Sequence, residues 1–338
     1  MARRRPETRN PKSERNPKPE TRNGIGLWWS SSFGFRALSI LSDFGFRISA
    51  FFVLATLVGC DKHRPVPATQ PASPTIASLV PAATELIIGM GARDRLMAVS
   101  TFDSDPDIAQ LPKAGDYETI DWELLGSLHP SVLVTEISPD RQGPGFNAKA
   151  ADRRIKPINV HIENLDDIPL AIDQLGAVLQ EPQLALSAHQ VFEARLDAVR
   201  RLAANEKPVR ALIVTSAQAD SVAGVGTYLD DLLKIAGGVN VVAPESGHWP
   251  MIDREKLLSL KPDVVLQLLP GTSPQERVAA SRLWSRLSAI PAVASGRVYP
   301  IYDEYALVPG WHVTDLAEQF FRCLHPQSPT HPVPASQP

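Results

Sequence analysis

Ile120-Asp-Trp-Glu-Leu-Leu-Gly-Ser-Leu-His-Pro-Ser-Val-Leu-Val134 is echoed 132 positions later by Ile252-Asp-Arg-Glu-Lys-Leu-Leu-Ser-Leu-Lys-Pro-Asp-Val-Val-Leu266, with eight of fifteen positions identical. Solenoid repeats recur at about 20 to 50 residues, so an echo at this interval implies two lobes of similar design. Each copy reads as a short helix running into a buried strand. Asp121 and Asp253 stand at the N-cap, Glu123 and Glu255 fall in the first turn, and Pro130 and Pro262 close the helix. A first-turn acid complements the helix dipole by about 0.3 to 1 kcal/mol, so capping accounts for an acid but not for its matched surroundings. A symmetric pair of charges suits a partner with two-fold symmetry.

Outward from the repeat, short apolar runs alternate with amphipathic stretches, the signature of an α/β fold with mainly parallel sheets. In the first lobe, strands are expected at 76–80, 96–100, 132–135 and 158–162, with a helix at 82–90 that stops at Gly91. In the second, strands are expected at 210–215, 239–242, 264–268 and 298–301, and helices at 228–236, 254–260, 276–287 and 313–324. Gly237-Gly238 supplies a left-handed cap after the helix at 228. Between the lobes, Leu184, Ala188, Val191, Phe192, Arg195, Val199 and Leu202 recur at helical spacing after Pro182. One long helix bridging two lobes is expected to let them move little.

The ends differ from this pattern. Residues 1–47 form a basic, low-complexity extension with no means of building a core, either disordered or upstream of the true start. Arg47 followed by residues 48–60 then reads as a charged residue, an apolar run and a small-residue cleavage site ending at Cys60, an export signal too short to span a bilayer. A proline-rich stretch at 61–74 reads as a flexible tether. The first lobe is expected over 75–180, the bridging helix over 181–207, the second lobe over 208–326, and a disordered tail over 327–338. A net charge of -3 and the lack of aromatic-basic or zinc-finger motifs argue against nucleic acid. Cys323 is expected to be a core thiol, which leaves no intramolecular disulfide.

Several motifs taken together resemble one family. Ile76-Ala-Ser-Leu-Val-Pro-Ala-Ala-Thr-Glu85, the two repeated helices, Gly224-Val-Gly-Thr-Tyr-Leu-Asp-Asp-Leu-Leu-Lys-Ile-Ala-Gly-Gly238, His248-Trp-Pro250 and Val308-Pro-Gly310 resemble the cluster A, or class III, periplasmic solute-binding proteins of ABC importers for vitamin B12, iron siderophores and haem. Leu57-Val-Gly-Cys60 resembles a lipoprotein lipobox, which implies lipid on Cys60. The resemblance implies a monomeric binding protein tethered by lipid in the periplasm or at the cell surface, with the inner membrane favoured by Asp61. It implies that Glu123 and Glu255 dock onto a homodimeric permease with its ATPase. It also implies ligand contacts in the interlobe cleft from Phe102, Tyr117 and Trp249, with Tyr305 and Trp311 as further candidates. No resident cofactor is implied; the cargo, a macrocycle or iron chelate, would itself carry cobalt or iron.

Other readings stand beside this one. Haem could be ligated through His248, His312 or Tyr305. A zinc or manganese binder would draw on His129, His161, His248 and His312. Arg141, Arg153, Arg154 and Arg297 are scattered and form no clear site for an acidic siderophore. An α/β enzyme is a further alternative, although the sequence has no nucleophile elbow, no phosphate loop and no His-Glu-x-x-His helix.

Overall fold

The computed structural model describes residues 73–137, 143 and 145–328. The export-signal and lipobox residues, Cys60, Arg141 and the tail beyond 328 lie outside the described residues. Among the described residues no helix is long and apolar enough to cross a membrane.

Two four-stranded parallel sheets carry the same topology. In the first, β1 (Ile76–Ser78), β2 (Leu96–Ala98), β3 (Val132–Thr135) and β4 (Lys156–Asn159) lie in the order β2-β1-β3-β4. Between and after these strands run α1 (Pro81–Gly89), α2 (Trp122–Leu128), α3 (Phe146–Asp152) and α4 (Asp167–Leu179). After α5 (Pro182–Ala203) comes the second sheet: β5 (Val209–Val214), β6 (Gly238–Asn240), β7 (Val264–Leu268) and β8 (Val298–Ile301), in the order β6-β5-β7-β8. Its helices are α6 (Tyr228–Ile235), α7 (Arg254–Leu260), α8 (Pro274–Ser285), α9 (Pro291–Ala294) and α10 (Val313–Leu324). The repeat therefore places α2-β3 and α7-β7 at equivalent positions, each strand internal to its sheet and buried along its whole length. Continuous apolar runs such as these suit parallel strands covered on both faces.

The bridging helix α5 buries Ala185, Ala188, Phe192, Leu196, Val199 and Ala203 in one stripe. It packs on α4 of the first lobe and on α6 and α10 of the second. Its 22 residues span about 33 Å at about 1.5 Å per residue. Arg195 on this helix pairs with Asp315 on α10, a tie additional to the apolar stripe. The largest apolar cluster runs through both lobes, from Leu86 through Phe192 to Phe320; two smaller clusters belong to one lobe each.

The element boundaries differ from the sequence expectation where local hydrogen bonds intervene. The fourth strand begins earlier than 158 because Pro157 sits opposite Leu133 in the ladder. The ladder ends soon after, with Val160 N donating to Thr135 O at 2.9 Å. The sixth strand stops at Asn240, whose side-chain oxygen accepts from Val242 N at 3.0 Å and turns the chain. Helix α8 starts at Pro274 because Ser273 and Glu276 form a reciprocal capping box. The repeated helices end one residue before their prolines, at His129 (φ 54°) and Lys261 (φ 47°), both left-handed.

Candidate functional site

The repeated helices present their acids in the same way. Asp121 accepts from Glu123 N at 3.1 Å and from Leu124 N at 2.9 Å, and Asp253 accepts from Lys256 N at 2.7 Å. Leu125 and Leu257 anchor the inner faces. Glu123 and Glu255 are exposed, and among the described residues neither carboxylate has a hydrogen-bond or ion-pair partner. The dipole and the caps hold each acid outward, and among the described residues no cation pairs with it.

Aromatic side chains occupy loops that leave the strand ends. Phe102 follows the second strand and stacks on Tyr117, with ring centroids 5.7 Å apart and planes 20° from parallel. Asp116 shapes the Tyr117 loop by accepting from Glu118 N at 2.9 Å and Thr119 N at 2.8 Å, bonds that hold its own carboxyl below the usual range. Thr101 Oγ1 donates to the other oxygen of Asp116 at 3.2 Å, which locks the Phe102 loop to the Tyr117 loop. Both rings are about half exposed, at 57% and 47%, which is too open for core packing.

In the second lobe Trp249 is 46% exposed and lies 6.2 Å from the buried Tyr228 ring. Its loop sits against Gly224, where an added Cβ would meet Gly247 O at 2.0 Å. Gly224 N donates to His248 O at 2.7 Å. Gly224 thus serves close backbone approach of the Trp249 loop, while Gly226 takes a left-handed φ of 89°. Across to the first lobe, His248 Nδ1 pairs with the Glu163 carboxylate, and Tyr228 N donates to Glu163 O at 3.0 Å. Leu165 N donates to Asp231 Oδ2 at 3.3 Å. These bonds close one side of the interlobe boundary.

Tyr305 and Trp311 lie on the segment before α10. Tyr305 stacks on His312 at 4.3 Å, and His312 Nδ1 bonds Asp315 at 3.1 Å. Burial and then the charge of Asp105 push the Tyr305 phenol up to about 12. Trp311 packs 6.2 Å from Phe192 of α5 and lines a groove of about 430 Å³ with α1 and α5. No three His, Cys, Asp or Glu side chains among the described residues converge as a metal site. His129 bonds Ser127 O, His161 pairs with Glu136 and His248 with Glu163, so the histidines of the zinc or manganese reading do not form a donor set.

Two acids that sequence reasoning did not single out sit away from water, Glu85 buried and Asp103 half-buried. Glu85 on α1 is 6% exposed, and burial pushes its carboxyl up to about 9; its Oε2 accepts from His312 N at 3.4 Å. Asp103 accepts from Ser100 N at 2.7 Å and Thr84 Oγ1 at 3.1 Å, yet burial still pushes it up to about 6. The signal for Glu85 was present in the chain as a single acid within an otherwise apolar helix. Cys323 is half-buried on α10, and burial pushes its thiol up to about 11, in keeping with an inert thiol.

Comparison with known proteins agrees with this architecture. The vitamin B12-binding protein of Vibrio cholerae is 25% identical over 258 residues, covering 76% of this chain and 89% of the relative. The crystal structure of the periplasmic vitamin B12 binding protein of Vibrio cholerae superposes with a TM-score of 0.62 at 24% identity, covering 75% of this chain and 96% of that one. A periplasmic heme binding protein from Pseudomonas aeruginosa gives 0.66 at 22% identity, covering 78% and 96%. The family pattern described as periplasmic binding protein matches residues 76–305. With two equivalent parallel sheets, one bridging helix and that match across most of its length, the chain belongs to the periplasmic binding protein family.

Proposed function

We propose that the chain is a lipid-anchored, monomeric binding protein on the outer side of the inner membrane, which holds a cobalamin-like tetrapyrrole or iron chelate between its lobes and delivers it to an ABC import permease. The observation that carries this reading is the matched pair Glu123 and Glu255. They are two exposed, unpartnered acids on equivalently capped helices of equivalent sheets. Such a pair suits arginines repeated on the two subunits of a homodimeric permease. Phe102, Tyr117 and Trp249 would supply the flat, rigid contact area that a macrocycle needs, at low side-chain entropy cost. Tyr305 and Trp311 would act from the neighbouring rim. Cys60 would carry the lipid, with residues 61–74 as the tether. Vitamin B12-binding proteins among the relatives support a corrinoid cargo over other iron or cobalt compounds.

The test is titration of intrinsic tryptophan fluorescence with cobalamin, haem and a ferric siderophore. Saturable quenching by cobalamin at micromolar concentration or below is expected. Quenching by haem alone would move the assignment to a haem binder, and no response to any of the three would overturn it.

A further inference from the structure

A concavity of about 590 Å³ lies outside the interlobe boundary, between α7, α8 and the segment 218–220 that follows the fifth strand. Its floor is aliphatic, formed by Leu257, Leu283 and Leu287. Around it stand Arg254, Arg282 and Arg286. Among the described residues none of these guanidinium groups has an ion-pair or hydrogen-bond partner on the protein. Two carboxylates also border the pocket, and each already accepts from the protein: Asp220 from Ser216 Oγ, and Asp253 from Lys256 N.

Helix chemistry explains part of this. Arg282 and Arg286 lie at the C-terminal end of α8, where a cation complements the dipole. Their spacing of four residues nevertheless sets like charges side by side, which is unfavourable. Arg254 is the first residue of α7, where the dipole favours an acid and opposes a cation. Local stability therefore gives no reason for three unpaired cations around one apolar hollow.

The first lobe fills the same position with its own side chains. Trp122 replaces Arg254 in the repeat. Its ring meets Phe146 edge-on at 5.6 Å, and Arg153 lies 5.6 Å from its centroid while donating from Nε to Trp122 O at 2.8 Å. The gap between the repeated helix and the helix after the next strand is thus filled in one lobe and open, apolar and cationic in the other. Under the docking proposed above, a two-fold partner meets both helices alike and so does not account for a hollow present on one side only.

We propose that this pocket binds a small anionic amphiphile, a phosphate, carboxylate or sulfonate group on an apolar body. The arginines would grip the anion by charge-assisted hydrogen bonds, and the leucine floor would take the apolar part. The volume falls within the usual range of about 300 to 1,000 Å³ for small-molecule sites.

Dihexanoyl phosphatidate, a soluble anion with short acyl chains, is the probe, titrated calorimetrically into the full chain at low salt. Saturable one-to-one binding is expected, weakening as salt rises. Arg282→Gln with Arg286→Gln should weaken it at least about tenfold, the loss of about one charge-assisted hydrogen bond. Arg254→Glu, on the opposite wall, should do the same and serves if the double variant is unstable. Cobalamin-induced quenching should be unchanged in all three variants, which separates this site from the cleft. Absence of binding at millimolar probe, or undiminished binding in the variants, overturns the proposal. Inorganic phosphate binding as tightly as the lipid overturns the amphiphile assignment. Retention on phosphatidylglycerol vesicles without binding of the soluble probe overturns it in favour of a membrane-facing basic patch.

Discussion

Replacing Glu85 by glutamine should flatten the pH dependence of stability. The carboxyl is buried on α1, its Oε1 has no partner among the described residues, and Oε2 accepts a long bond from His312 N. Tyr228 hydroxyl, also buried and without a partner, couples electrostatically to it. Burial pushes Glu85 from 4.5 to about 9, so the folded chain keeps a proton that the unfolded chain has already lost across that window. Stability from this group is therefore fully present below 4.5 and is lost as pH rises toward 9. At about 1.4 kcal/mol per pH unit, the native chain should lose up to about 3 kcal/mol between about pH 5.5 and pH 8 through this residue. Glutamine keeps the shape and the acceptor for His312 N but has no proton to lose. Urea unfolding at both pH values measures the difference between the chains. Asp103 acts with the same sign below about 6 and is common to both, so it cancels. Parallel stability profiles for native chain and variant would refute the reasoning, because they would mean that Glu85 ionises in the folded state as it does in water.

Glu123→Arg with Glu255→Arg should abolish ligand uptake by cells while leaving ligand affinity within about twofold, since both side chains are exposed and unpartnered; a large loss of affinity would move these acids into the binding site. Trp249→Ala should weaken cargo binding by about 1 to 3 kcal/mol, read from fluorescence of the remaining tryptophans or by calorimetry, and unchanged affinity counts against the aromatic loop. Lys261→Gly should stabilise the chain by a few tenths to about 1 kcal/mol, because φ of 47° costs a side-chain-bearing residue and not glycine; a lowered melting temperature would contradict this. Cys60→Ser should release the protein from membranes into the soluble fraction, and persistent membrane association would exclude the lipid anchor.

The sequence carried the repeated helices and the eight strands because their signals are local: an aspartate cap, a buried leucine four residues on, and a run of β-branched residues. Boundaries slipped where one side chain ended a ladder, as Asn240 does through its bond to Val242 N. The aromatic candidates at 102 and 117 come together because Thr101 joins their loops. The pairing of Glu163 with His248, and the approach of Glu85 to the segment before α10, join residues far apart in the chain; no spacing rule could find them. The arginine pocket was invisible for the same reason, since Arg254 and Arg282 face one pocket only once α7 and α8 have come together.

The apolar cluster running through Phe192 makes the two lobes energetically inseparable. A chain cut between α4 and α5 would strand half of that cluster in water, leaving Leu86, Ile87 and Leu175 on one fragment without the Phe192, Phe320 and Phe321 that complete it. The smaller clusters could not hold either fragment on their own. The molecule should therefore melt in a single step, and neither half should be recoverable as a soluble domain, although each repeats the other's topology strand for strand.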